Sequence, residues 1–380
     1  MPDRRDALKL MAAMPIAAAI GLPAGCAAGI DPAAAWRQPG RGETDVRRWT
    51  LAHAILAPNP HNRQPWLVQL VGTDAILLRP DLSRLLPETD PFDRQTTIGC
   101  GAFLELLTMA AAQQGYRAEV DLWPEGEARP RLDSRPIARV RLVRDPGVAT
   151  HPLFAQVLAR RTNRLEYDRA QPVDAVALAA LAPAARPGVA VGLTDDPERI
   201  ASLRPIVGRG YIVECDAPGP YRENVDAMRI GAGEIARYRD GINLSGPAIE
   251  AGRLVGIVSR EAFMRPGSFA AGEFRKSAEP WLRSSMAFAW LTTPANRRYD
   301  QIEAGRAYLH LNLLAARAGL AMQPWSQCLQ EYPAMRTVFN EAHAALGVVL
   351  PSRLQMLVRL GYADAIPPAP RRGLAGHLVA

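Results

Sequence analysis

The fold of this chain is decided by two fifteen-residue stretches, Gly101–Gly115 (GAFLELLTMAAAQQG) and Gly305–Gly319 (GRAYLHLNLLAARAG). In each stretch apolar residues recur at helical spacing, and the closing glycine stands where helices favour one just past their last turn. The copies begin 204 residues apart (305 − 101 = 204), about half of the 380-residue chain. The pattern predicts two related halves with a central helix each, although alanine-rich helices that end in glycine also occur without duplication.

Strand-like sequence follows each of these helices. In the first half, residues 117–123 alternate in polarity and residues 137–143 are rich in β-branched side chains. In the second half, residues 354–360 follow a further predicted helix over 335–346. We therefore predict an α+β fold in which each half packs helices on small mixed or antiparallel sheets.

The halves are predicted to span residues 43–145 and 150–375. The stretch from about 220 to 285 interrupts the second half. A helix is predicted over 221–238, and Gly, Ser and Pro then recur from 241 to 272. A segment of this kind between periodic elements indicates an insertion, which we expect to act as a lid.

The composition excludes several classes of protein. The net charge of +7 comes almost wholly from arginines that are spread along the chain among 38 acidic residues, whereas nucleic-acid binders concentrate their basic residues. The excess suits a small anionic ligand, and no nucleic acid is expected. The four cysteines form no CxxC pair and the six histidines no HExxH motif, so no metal site is predicted.

Residues 1–30 resemble an export signal. Arg4 and Arg5 open a twin-arginine-like motif, and the apolar run over 10–22 is too short to span a bilayer. Cys26 follows a lipobox-like LPAG, and its lipidation would anchor the chain to the membrane. The prediction is export by the twin-arginine route to the periplasm or the outer membrane face. The alternative is an unused leader on a cytoplasmic protein.

Four short motifs carry a family resemblance. They are APNPHNRQPW (57–66), RRTNR (160–164) after a helix predicted from Pro152, PWSQ (324–327), and Gly361-Tyr362 followed by PRR (370–372). Taken singly, each has a structural explanation, such as basic residues that stabilise a helix C-terminus. Together, and in this order, they resemble the nitroreductase-like FMN-dependent superfamily.

The division of the motifs resembles the Acg-like branch of that superfamily. The first half carries NxQPW without the arginine motif, and the second half carries RRTNR and PRR without NxQPW. The resemblance implies that one chain imitates the family's dimer and keeps one of two FMN sites. A monomer is therefore expected.

The resemblance also implies roles for individual residues. Arg160, Arg371 and Arg372 would grip the phosphate, since a planar guanidinium binds it through two parallel hydrogen bonds. Arg164 would stabilise negative charge on the reduced ring. Thr162 would hydrogen-bond the cofactor, the 59–62 loop would close the site, and backbone N–H groups near Ser326 would meet flavin N5. The cofactor-binding residues implied are Arg160, Arg161, Thr162, Arg164, Asn59, His61, Asn62, Pro324, Trp325, Ser326, Gln327, Arg371 and Arg372.

In the family, NAD(P)H gives hydride to flavin N5, and a nitro or quinone-type acceptor then takes the electrons. No catalytic side chain is therefore predicted. Two alternatives stay open. A lid over the ring would make this an FMN-sequestering protein with little turnover, and loss of the site would make it a cofactor-free envelope protein.

Overall fold

The structure, a computed structural model, describes residues 30–380, so the predicted export signal and Cys26 lie outside the described part. It confirms an α+β fold. The helices are α1 (Val46–Ala54), α2 (Arg94–Gln113), α3 (Ala175–Ala179), α4 (Pro197–Asp216), α5 (Pro218–Ala227), α6 (Ala232–Tyr238), α7 (Pro247–Leu254), α8 (Arg260–Met264), α9 (Phe269–Lys276), α10 (Ala278–Arg283), α11 (Arg298–Arg317) and α12 (Arg336–Ala345).

The strands form one sheet in each half and a short pair in the insert. The first sheet has the order β11-β1-β2-β4-β3, the second β5-β8-β10-β9, and β6 pairs with β7. Their bounds are β1 (Trp66–Val71), β2 (Ala75–Pro80), β3 (Tyr116–Leu122), β4 (Ala138–Arg144), β5 (Ala190–Thr194), β6 (Met228–Ile230), β7 (Ile242–Leu244), β8 (Ala287–Thr293), β9 (Ala321–Pro324), β10 (Arg353–Gly361) and β11 (Leu378–Val379).

The C-terminal strand connects the two halves. β11 pairs in parallel with β1, so the tail of the second half joins the first sheet. The other pairings in both sheets are antiparallel. One hydrophobic core contains apolar side chains of both sheets and both central helices. The halves therefore share a core rather than touching through a polar interface.

The two central helices, α2 and α11, cross at the predicted glycines. A Cβ on Gly101 would lie 2.1 Å from the Ile302 carbonyl oxygen, and one on Gly305 would lie 2.0 Å from that of Ile98. The two contacts are related by the same offset of 204 residues (302 − 98 = 204). The two contacts are reciprocal, as the duplication inferred from the sequence predicts.

The insert differs from its predicted form in one place. The helix predicted over 221–238 is broken by β6, because Met228–Ile230 pair with Ile242–Leu244 and Gly231 turns the chain at a φ of 83°. α5 precedes the break and α6 follows it. The insert packs with α4 and α12 in a second hydrophobic core.

The helix predicted from Pro152 towards the RRTNR motif is also wrong. Only a 3-10 turn forms, over Pro152–Gln156. The motif beyond it makes long-range hydrogen bonds instead of helical ones: the Asn163 backbone N–H donates to the Met322 carbonyl at 3.0 Å, and its side chain donates to the Asp364 carbonyl at 2.8 Å. The motif therefore runs as an irregular segment between β9 and the C-terminal tail.

No described helix is long and apolar enough to cross a membrane. No group of three or more His, Cys, Asp or Glu side chains among residues 30–380 is arranged to hold a metal ion.

Candidate functional site

A cavity of about 620 Å³ lies where the first half, the second half and the insert meet. Its volume falls within the range of about 300–1,000 Å³ that is usual for small-molecule sites. The cavity collects most of the residues implied by the motifs. Those that line it are Asn59, His61, Asn62, Arg160, Arg161, Thr162, Arg164, Pro324, Ser326, Gln327 and Arg371.

Three guanidinium groups gather around one indole ring at this cavity. Arg160, Arg161 and Arg371 each lie over Trp36, at 5.1, 5.4 and 5.4 Å from the ring centroid. The indole N–H donates to the Ala369 carbonyl at 2.8 Å, which fixes the ring against the C-terminal tail. Attraction between the cations and the ring face partly offsets the repulsion among three like charges.

No carboxylate forms an ion pair with this cluster. Burial, and not an acidic partner, is the main influence on the pKa values of Arg160, Arg161, Arg164 and Arg371, and no carboxylate among residues 30–380 contributes to them. Burial lowers the pKa of Arg160 to about 10, and burial with the nearby charge of Arg160 lowers the pKa of Arg371. The buried Nε atoms of both side chains have no hydrogen-bond partner within residues 30–380. Buried, unpaired guanidiniums with free N–H groups are the donor set that a phosphate needs.

Both buried arginines also hold the loop that follows α1. Arg160 and Arg371 donate to the Leu56 carbonyl, and Arg371 donates to the Ala57 carbonyl at 3.1 Å. Arg371 further donates to the Asn62 side-chain oxygen. The second half thereby positions the motif loop of the first half.

The motif loop has an unusual backbone. His61, Asn62 and Gln64 have positive φ values of 47°, 52° and 51°, a region that non-glycine residues seldom adopt. The Asn59 side chain accepts the Gln64 backbone N–H at 2.6 Å and so closes the turn. Such strain persists only where the surroundings enforce it, and it is typical of functional loops.

The insert docks on this loop. The Gly241 backbone N–H donates to the Asn62 carbonyl at 3.1 Å, and the Gln64 side chain donates to the Arg239 carbonyl at 2.9 Å. Ile235, Gly241 and Asn243 bring the insert into the wall of the cavity.

His61 stays uncharged beside these cations. Burial, followed by the charges of Arg164 and Arg63, lowers the pKa of His61 to about 3. Its Nδ1 atom is buried and has no partner among the described residues. At neutral pH it therefore offers a neutral imidazole to a ligand in the cavity.

Two residues implied by the motifs do not line the cavity. The Trp325 ring is buried in the second core, and its N–H donates to the Val207 carbonyl at 3.0 Å. Arg372 turns towards the first sheet, where it donates to the Gln64 carbonyl at 2.8 Å and contacts His377. Their chain neighbours Pro324, Ser326 and Arg371 line the cavity instead.

The sequence did not reveal several of the lining residues. Trp36 lies in an alanine-rich stretch without periodicity, and Gln330 and Asn243 belong to no motif. Only burial and long-range contacts identify them. The further lining residues are Asp31, Pro32, Ala33, Arg37, Gln95, Ile98, Gly99, Tyr308, Met356 and the tail segment 366–370.

The cavity opens at one end. The lining residues with exposed side chains are Arg37, Leu158, Pro367 and Ala369, and all belong to the segments around Trp36. The lining residues from the insert and from Ser326–Gln327 are buried or half-buried. The guanidinium groups thus stand at the entrance, and the insert lies at the inner end.

The position of α11 that corresponds to Gly99 carries a charged side chain. Gly99 lies against Asn59 and Pro60 of the motif loop, and the residue 204 positions later is Glu303. Glu303 pairs with Arg186 and Arg306 at 3.3 and 3.2 Å. The two central helices therefore differ at this position.

Comparison with known proteins identifies the family. No family model matches the sequence. The chain is 30% identical over 342 residues to the Mycobacterium tuberculosis protein named "Putative NAD(P)H nitroreductase Rv3131", covering 88% of this chain and 91% of that one. It is 34% identical over 133 residues to the nitroreductase acg of the same organism, covering 34% and 38% of the two chains.

Among solved structures, the FMN and NADPH-dependent nitroreductase NfnB from a Sphingopyxis strain is similar at 17% identity and a TM-score of 0.37, covering 60% of this chain and 97% of that one. The identity with Rv3131 extends over nearly the full length of both chains. This chain therefore belongs to the NAD(P)H nitroreductase family.

Proposed function

We propose that the protein is an FMN-dependent oxidoreductase that moves hydride from NAD(P)H to a nitro or quinone-type acceptor. The observation that carries the proposal is the cluster of Arg160, Arg161 and Arg371 around Trp36, which faces the cavity. The one carboxylate among the described lining residues, Asp31, pairs with Arg37 and not with this cluster. The names of the relatives, and the FMN and NADPH dependence of NfnB, support the same chemistry.

The residues present fit FMN. The phosphate would be held by Arg160, Arg161 and Arg371. The Nε–H groups of Arg160 and Arg371 are buried without a partner among residues 30–380, which is costly unless a ligand accepts from them. Ser326 precedes the 3-10 turn Gln327–Leu329, and the first N–H groups of such a turn have no carbonyl partner within it. They are free to hydrogen-bond a ring nitrogen.

FMN supplies the hydride-accepting atom when it is bound. The chain's own residues bind and orient it. Arg164 keeps positive charge close to the neutral His61 on the cavity wall. The insert excludes water from the inner end through Ile235 and the contact between Gly241 and Asn62. No acid or base on the protein is required.

An absorbance spectrum of the purified protein, repeated anaerobically after addition of NADH or NADPH, tests the proposal. We expect flavin bands that bleach when the nicotinamide is added. A protein without flavin bands, even after incubation with FMN, would refute cofactor binding and favour the cofactor-free alternative.

Sequestration of FMN is the second candidate, and the shape of the cavity favours it. The entrance lies beside the arginines and the insert covers the inner end, so a large donor meets a restricted path. Flavin bands that persist under NADPH but bleach with dithionite would establish this alternative. Export, as the leader predicts, would favour it further, since NAD(P)H is scarce outside the cytoplasm.

A monomer is the expected state in solution. The crossing of α2 and α11 at Gly101 and Gly305 joins the two halves within one chain. The family resemblance implies that this contact replaces one between two subunits. Light scattering should give the mass of one chain, 41.3 kDa before any processing. A mass of twice that value across a range of concentrations would contradict the fused-half interpretation.

A further inference from the structure

Three carboxamide side chains line the cavity without a role in the proposed hydride transfer. They are Gln95 from the first turn of α2, Asn243 from β7 of the insert, and Gln330 after the 3-10 turn of the second half. Arg94 donates to the Leu329 carbonyl at 2.8 Å, which holds the start of α2 against the Gln330 segment. Each of the three carboxamides comes from a different part of the fold.

Gln330 is buried with one half of its amide unsatisfied. Its side chain is 4% exposed, and its Nε2 donates to Glu214 at 2.9 Å. That bond points Oε1 the other way, and Oε1 is buried without a partner among the described residues. A buried acceptor left unpaired costs about 1–3 kcal/mol, so this atom is suited to a ligand that donates a hydrogen bond.

Asn243 repeats this arrangement on the insert. Its Oδ1 is buried without a partner, and its backbone is fixed by the pairing of β7 with β6 opposite Arg229. The wall of the cavity therefore presents two amide oxygens that accept no hydrogen bond from within residues 30–380.

Glu214 makes the arrangement rigid. This carboxylate lies in α4, is 2% exposed, and accepts the Gln330 side-chain N–H at 2.9 Å. It therefore fixes the orientation of the Gln330 carboxamide. A fixed acceptor discriminates between ligands more strongly than a mobile one, because it cannot rotate to find another partner.

We propose that Gln330 and Asn243 form an acceptor subsite that selects a second substrate carrying a neutral N–H or O–H donor on its ring. The carboxamide of a nicotinamide and the hydroxyl of a phenol share this chemistry. The proposal rests on the proposed function, because the subsite is useful only beside a bound flavin. Because Gln330 and Asn243 are uncharged, the subsite offers no cation to pair with a ring that carries a carboxylate.

The test uses the FMN-loaded protein and inert ring probes. Benzamide and phenol carry the donor, whereas acetophenone and anisole have similar shapes without it. We expect the wild type to bind each donor probe at least tenfold more tightly than its partner, as followed by perturbation of the flavin spectrum. Gln330→Leu should remove this preference, and the Kd for FMN should stay within twofold.

Matched variants define the outcomes. Gln114→Leu changes an exposed glutamine at the end of α2 and should keep the preference. Should Gln330→Leu fail to fold, Asn243→Ala provides the second test. A preference for benzamide alone assigns the subsite to carboxamides, and one for phenol alone assigns it to hydroxyl-bearing rings; both support the proposal.

Two results would overturn the proposal. One is a preference that persists in both Gln330→Leu and Asn243→Ala. The other is a tenfold rise in the Kd for FMN in either variant, which would give the acceptors to the flavin itself. Failure of the proposed function would give a different result, because the wild type would then bind no FMN. In that case the binding of each probe pair would be measured on the FMN-free protein by calorimetry.

Discussion

The Arg371→Ala variant should bind FMN roughly ten- to a hundredfold more weakly than the wild type. Removing one charge-assisted hydrogen bond costs about 1.5–3 kcal/mol, and each 1.4 kcal/mol is tenfold in affinity. Arg371 is 4% exposed and has no acidic partner in the described part of the chain, so it contributes its charge to the cavity rather than to an ion pair. Arg160→Ala, which removes the neighbouring guanidinium, should have an effect of similar size.

Titration of the FMN-free protein, followed by quenching of flavin fluorescence, measures this effect. Arg141→Ala is the matched control, because it removes the same charge from an exposed side chain on β4 that pairs with Glu119 on β3. The double variant Arg160→Ala with Arg371→Ala should lose less than the sum of the single losses, since both arginines would hold one phosphate. Unchanged affinity in both single variants would place the phosphate elsewhere.

Substitution of Gly101 or Gly305, the two glycines at the helix crossing, should lower the free energy of unfolding more than substitution of a glycine elsewhere in a helix. Gly101→Ala places a Cβ 2.1 Å from a backbone oxygen of α11, and Gly305→Ala does the same against α2 at 2.0 Å. A backbone atom cannot rotate away as a side chain does, so the helices must separate and weaken the shared core. Overpacking costs about 1–3 kcal/mol and sometimes more, and we expect the upper part of that range.

Urea unfolding of matched variants provides the measurement. Gly272→Ala in α9 is the control, because its added Cβ meets no atom within 4 Å and should stabilise the protein by about 0.4–1 kcal/mol. The double variant with Ala at both crossing positions should lose less than the sum, because the first substitution already separates the helices. A Gly101→Ala variant as stable as the wild type would refute the close crossing.

The elements that could be predicted from the sequence are those with local signals. The repeated glycines predicted α2 and α11. Alternation predicted β3, β-branched residues predicted β4, and the strand-like sequence after the helix over 335–346 predicted β10, each to within a residue or two. Arg160 and Arg371 were found because short motifs carry them. In each case the information lies within about twenty neighbouring residues.

The remaining features depend on contacts that no local pattern encodes. Trp36 meets Ala369 across 333 residues, and Gln330 is oriented by Glu214 across 116. The helix predicted from Pro152 failed because Asn163 finds distant partners, and the helix over 221–238 failed because β6 pairs with β7. Tertiary hydrogen bonds overrode local propensity at both places.

The fusion of two halves in one chain also has a consequence for dilution. Two separate subunits that build a site between them come apart as their concentration falls, and their thermal midpoint depends on that concentration. A covalent link replaces bulk concentration by a local one, which is on the order of millimolar for short flexible linkers. Because β11 and the crossing of α2 and α11 hold the halves together within one molecule, a few copies in a compartment retain the complete cavity.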